Sequence, residues 1–291
     1  MVKFRRSGGG LSGNLEDRRG AGSVGMGGRG MRVGAGGGIV GIIIVIAMAL
    51  LGGGGGGGGG DITDIFGQMQ MGGTPGGTVD PADHELVQFM SDALDDIQAF
   101  WSTDSGLGSE YVDAQLVLFS GGVSTGGCGN APSSVGPFYC PADSKAYIDL
   151  DFFRDLQARY GAPGDMAQVY VLAHELGHHI QNLQGTNEAV RREQQANPGV
   201  ANELSVRMEL QADCYAGVWG NSAQDRGLLE PGDVEEGLGA AAAVGDDNLG
   251  NPNEENWTHG SAESRQRWFS VGFESGDHER CDTFNVPADQ L

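Results

Sequence analysis

Val171-Leu-Ala-His-Glu-Leu-Gly-His-His179 is the stretch on which the reading of this chain turns. His174 and His178 are four residues apart, so on an α-helix their imidazoles leave the same face and reach one ion. Glu175 lies about 100° further round that helix, where a carboxylate flanks a metal without ligating it. This is the H-E-x-x-H pattern of zinc hydrolases, in which the glutamate takes a proton from a metal-bound water. The residues before it supply the apolar context a buried helix needs: Met166, Val169, Val171, Leu172 and Ala173. Asp165 suits the N-cap of this helix, and Gly177 is expected to leave room beside the metal.

A catalytic zinc takes three protein ligands and keeps one position open, so a third ligand has to be found. The version of the motif with a third histidine needs Gly at 181 and His at 184, but Gln181 and Gln184 stand there. The other version draws a glutamate from a second helix. Glu209-Leu-Gln-Ala-Asp213 lies in a long helical pattern and is flanked by Tyr215, Ala216, Val218 and Trp219. Glu209 is therefore the expected third ligand. Asp213, on the same face, is expected to accept a hydrogen bond from the non-ligating nitrogen of His174.

On these residues the chain resembles the bacterial putative neutral zinc metallopeptidases, a family of membrane-anchored, gluzincin-like proteins. The matching stretches are Asn14-Leu-Glu-Asp-Arg-Arg-Gly20, Gly136-Pro-Phe-Tyr-Cys-Pro141, Tyr147-Ile-Asp-Leu150, His174 to His179, Glu209 to Gly217, Thr258-His-Gly260 and Gly272 to Asp277. The resemblance implies a zinc site of His174, His178 and Glu209 with Glu175 as general base, and it implies no particular substrate. In gluzincins an edge strand beside the zinc helix holds the substrate backbone by strand addition. Lys145 to Leu150 is the candidate for that edge.

Charge is unevenly distributed. Residues 1–33 hold seven Lys/Arg against two acids, whereas the remainder holds ten against 37, giving −22 for the chain. So acidic a body repels nucleic acid, and neither DNA nor RNA is expected as a partner. Between the two parts, Gly34 to Leu51 is uncharged and strongly apolar, about 27 Å long as a helix. This reads as one transmembrane helix over 34–52, between a basic cytoplasmic tail (1–33) and a glycine-rich linker (53–80). The positive-inside rule then sends the C-terminal body, 81–291, out of the cytoplasm. A cleaved signal peptide is the alternative, and poly-Gly makes a poor cleavage site.

All four cysteines fall in the exported part, and an even count there suggests two disulfides. Three pairings are open; proximity favours Cys128 with Cys140, leaving Cys214 with Cys281. Apolar spacing predicts a core helix from Asp83 to Trp101, strands at Ala114–Phe119 and Lys145–Leu150, and a helix at Asp151–Tyr160. Further helices are expected at Ala201–Ala223, Pro231–Val244 and Ser261–Gly272. The fold class is thus α+β, a mostly helical zincin-like domain with a small β-sheet. Gly245 to Asn256 fails the EF-hand pattern and reads as a solvated loop. His259, at its end, is a candidate for stabilising the oxyanion, Tyr215 a weaker one, and His179 points away from the metal.

The expected function is hydrolysis of a peptide or protein substrate at a membrane-anchored Zn2+ site, with Glu175 as the base. Two alternatives stand beside it: a non-catalytic zinc-bound envelope protein that holds peptides, and a zinc hydrolase of a non-protein cell-envelope amide. Glu175 argues against the first, because a scaffold has no use for a base beside its ligands.

Overall fold

The computed structural model describes residues 2–4, 10–20, 81–103 and 107–291. The span read at 34–52 and the linker at 53–80 lie outside these residues, and among the described residues no helix is long and apolar enough to cross a membrane.

Helices predominate. The first, α1 (Pro81–Thr103), buries Val87, Met90, Leu94, Ile97 and Trp101, the stripe its spacing predicts. After the sheet come α2 (Asp151–Tyr160), α3 (Asp165–Leu183), α4 (Thr186–Ala196) and α5 (Ala201–Asp225). α6 (Asp233–Ala243) and α7 (Ala262–Ser275) complete the set. Ser261 caps α7 by accepting from the Ser264 amide at 3.0 Å. α3 is buried along most of its length, between α5 and α6 on one side and the sheet on the other, which is why its sequence is apolar around the ligands.

The four-stranded sheet has the order β1-β2-β6-β5, where β1 is Leu15–Asp17, β2 Gln115–Phe119, β6 Lys145–Asp149 and β5 Phe138–Cys140. The first three run parallel, and β5 is antiparallel to β6. A separate hairpin pairs β3 (Gly122–Ser124) with β4 (Asn130–Pro132). The disulfide Cys128–Cys140 ties its loop to β5, and Cys214–Cys281 ties α5 to the C-terminal segment, the pairing that proximity favoured.

Several expectations change. Lys145–Leu150 is not an edge: β6 is interior, with β2 on one side and β5 on the other. The strand ending the sheet beside α3 is β5, too short and too apolar to show the alternation of a half-buried strand. The folded body was expected to start near Pro81, yet residues 2–4 and 10–20 lie on it too, with Val2 only 4% exposed. Asp165 is not the N-cap; that position belongs to Gly164 at φ 115°, a conformation glycine permits, and the Asp165 carboxylate accepts the amide of Val2.

Gly177 serves the crossing of α3 and α5 rather than the metal, because a Cβ there would lie 2.9 Å from the Ala212 backbone. Gly272 does the same for α5 and α7, where a Cβ would meet the Cys214 carbonyl oxygen at 2.0 Å. Backbone cannot yield as a side-chain end can, so Gly272→Ala is expected to cost about 3 kcal/mol and to lower the thermal midpoint by roughly 5–10 °C. Gly239→Ala in α6, with open space around the new Cβ, is the control and should leave the melt unchanged or raise it slightly.

Candidate metal centre

Two helices bring the ligands together. α3 offers His174 and His178 from one face, their rings 4.8 Å apart and nearly perpendicular. α5 crosses at Gly177 and presents Glu209, whose Oε2 lies 3.1 Å from His174 Nε2 and whose Oε1 lies 3.4 Å from His178 Nε2. The three ligand atoms fall within 4.8 Å of one another, and all three residues are buried. The second of those distances lacks hydrogen-bond geometry: among the described residues His178 Nε2 is a buried nitrogen without a hydrogen-bond partner. Two imidazoles and a carboxylate converging in a dry site, with one nitrogen left over, suit a tetrahedral zinc with an open fourth position.

The non-ligating nitrogens are anchored. His174 Nδ1 lies 2.8 Å from Asp213 Oδ1, as the spacing predicts, and His178 Nδ1 lies 2.8 Å from Gln181 Oε1. Gln181 in turn donates to the Met208 carbonyl and to Gln211. These contacts set which ring nitrogen of each histidine would face a bound metal. Asp213 is held by Arg265 of α7, which donates to both its oxygens at 2.8 and 2.9 Å, and by the hydroxyl of Tyr170. Burial raises the Asp213 carboxyl, but Arg265 and His174 outweigh it and hold the group below its ordinary value. Burial pushes the His174 imidazole down; the carboxylates of Asp213 and Glu209 overcome this and raise it to about 9. For Glu209 burial again opposes ionisation, and His178 and His174 pull it well below the usual carboxylate range.

Glu175 lines the same cavity, together with Pro137, Phe152, Tyr170 and Val171, and its Oε2 is buried without a partner among the described residues. Desolvation raises its pKa. His259 also lines this cavity. Its Nδ1 lies 3.3 Å from Asp246 Oδ1, while Asp246 Oδ2 accepts the amides of Thr258, His259 and Gly260 at 2.7–3.0 Å. The loop from Gly245 is therefore not wholly solvated: Asp246 is 1% exposed and fixes the turn that carries His259. Tyr215 is not in the cavity; its hydroxyl donates to Gln184 and its ring packs on Trp101. His179 turns away as expected, buried between the Tyr139 hydroxyl and the Val112 carbonyl.

Arg265, Tyr170, Gln181 and Asp246 escaped the reading of the sequence. One signal was available for Arg265, a lone cation on the face shared with Trp268, Phe269 and Gly272. The other three carry no local pattern.

The model of the Putative neutral zinc metallopeptidase family matches residues 4–284, and the chain belongs to that family. An uncharacterized Escherichia coli K12 protein, YpfJ, is 43% identical over 283 residues, covering 94% of this chain and 96% of that one. The uncharacterized Mycobacterium tuberculosis H37Rv protein Rv2575 is 50% identical over 192 residues, 60% of this chain and 64% of its own. No solved structure matches the chain.

Because Asp213 fixes the ring of a ligand, Asp213→Asn is expected to lower zinc affinity about 10–100-fold, read by competition with a chromophoric chelator. Asp277→Asn, in the turn after α7, should leave the affinity unchanged.

Proposed function

We propose that this chain is a zinc-dependent metallopeptidase that hydrolyses peptide bonds outside the cytoplasm. The observation that carries the reading is the buried His174, His178 and Glu209 set with the unpartnered Glu175 carboxylate beside it. Zinc bound by those three residues would supply an acidified water and polarise the scissile carbonyl. Glu175 takes the proton of the attacking water and delivers it to the leaving amine as the C–N bond breaks. Its buried Oε2 meets no hydrogen-bond donor among the described residues, which leaves it available for that transfer.

His259 lines the same cavity as the proton carrier. With Nδ1 engaged by Asp246, Nε2 is the ring nitrogen left to donate to the carbonyl oxygen as negative charge builds on it. Arg265 is a positioning residue: its charge is consumed by Asp213, through which it holds His174. The substrate backbone is expected along β5, beside which no further strand stands among the described residues and whose preceding residue, Pro137, lines the cavity. An oxidising compartment fits the two disulfides.

The test is mass-spectrometric cleavage profiling of a mixed peptide library with the zinc-loaded full chain. The full chain is required because residues 2–4 and 10–20 are part of the folded body. Cuts by the wild type that Glu175→Gln abolishes, with zinc still bound at one per chain, are the expected result. Equal activity of the two proteins would remove Glu175 from the mechanism, and an absence of cuts from zinc-loaded wild type would point to a non-peptide substrate or a binding role. Glu209→Gln is expected to lose metal as well as activity, and metal content measured after dialysis separates it from Glu175→Gln.

A further inference from the structure

Two parts of the chain, separated by residues 21–80, are built into one body. Leu15, Glu16 and Asp17 pair in parallel with Leu116, Val117 and Leu118. The Leu116 amide donates to the Asn14 carbonyl and the Arg18 amide to the Leu118 carbonyl, both at 2.8 Å. Side chains secure the strand from two directions. Ser12 bonds to Ser91 and Asp95 of α1, and Asn14 donates to Asp113 at 2.9 Å. The Arg19 side chain is 4% exposed, held by Asp17 at 2.8 Å and by Asp83 of α1 at 3.3 Å. Further upstream the Lys3 amide donates to the Leu228 carbonyl, and the Phe4 ring lies 5.5 Å from Phe89 and 6.4 Å from Trp219. Undocking this segment would strip β2 of its neighbour and expose apolar side chains together with a buried cation.

Residue 20 and residue 81 are therefore attached to the same body. A segment with both ends on one side of a bilayer crosses it an even number of times. The apolar run from Gly34 to Leu51 is long enough for one crossing, about 27 Å against a core of about 30 Å, and far short of two. The charge signal that oriented a single span is also weakened. Lys3, Arg18 and Arg19 are engaged by Glu230, Glu16, Asp17 and Asp83; Glu230 and Asp83 belong to the body, and Glu16 and Asp17 to β1 docked on it.

We propose that residues 2–4 and 10–20 lie on the same side of the membrane as the peptidase body. This rests on the docked strand and not on the peptidase reading. It replaces the single-pass arrangement with a cytoplasmic tail.

The experiment is labelling of the full chain in intact cells with a membrane-impermeant maleimide. The four native cysteines are all in disulfides, so added ones report alone. Leu11→Cys probes the N-terminal segment and Val200→Cys the body, at positions 48% and 38% exposed. Equal labelling of both before permeabilisation, within about twofold, is expected. Labelling of both only after permeabilisation would uphold the shared side while moving the body into the cytoplasm. Labelling of Val200→Cys before and Leu11→Cys only after would overturn the proposal. As a second measurement, Asn14→Cys with Asp113→Cys should form a disulfide in the membrane-isolated full chain, detected as a linked peptide pair after digestion. Its absence, with both thiols free, would also count against the docked strand.

Discussion

The carboxylate of Asp213 is the point on which the site depends. It is fully buried, it receives Arg265 from α7 and Tyr170 from α3, and it holds His174. Three helices are thus referred to one anion. A buried ion pair of this kind contributes little net stability over an apolar replacement, since two charges have been taken out of water. Its value is positional: an Asp213 with Arg265 removed would be an uncompensated charge in a dry core, so the three helices are constrained to meet in one register. The glycines at the crossings serve the same end. Gly177 lets α5 approach α3 closely enough for Glu209 to reach the histidines, and Gly217 and Gly272 let α7 approach α5 closely enough for Arg265 to reach Asp213.

The remaining supports converge on α5. Cys214 follows Asp213 directly and is bonded to Cys281, while Gln211 accepts from Gln181 and donates to the Cys281 carbonyl. Arg207 donates to the carbonyls of Thr283 and Val286, and Thr283 donates back to the Arg207 carbonyl. The C-terminal segment therefore braces the helix on both sides of Glu209. A ligand on a rigid, buried helix loses little freedom on binding a metal, which favours a site formed before the ion arrives.

How much of this could be read in advance follows from the range of each interaction. His174, Glu175 and His178 announce themselves because one helical turn sets their geometry, and Glu209 with Asp213 repeats that logic on a second helix. The long helices and the α1 stripe are legible for the same reason. Arg265 acts on Asp213 across 52 positions, and Asp246 acts on His259 from within a loop whose Asn and Asp content reads as solvent-facing. Strands of three residues, such as β1 and β5, are too short to show a period. Their existence is decided by what they pair with, so the sequence read locally took β6 for an edge and Leu15–Asp17 for part of a tail.

The two ends of the sheet are consequently unlike. At one end stands β1, three residues long, bearing Glu16 and Asp17, with Arg18 and Arg19 just beyond it paired to those acids. A short edge so heavily charged resists addition of a further strand. At the other end stands β5, apolar, antiparallel to its neighbour, packed against α3 and cross-linked through Cys140 to the β3–β4 hairpin. In the peptidase reading proposed above, an extended peptide would find its backbone partners at the second edge rather than the first. The N-terminal segment bears on that reading from the far side of the sheet: by occupying the β2 edge with a short, charged strand it leaves β5 as the apolar end of the sheet.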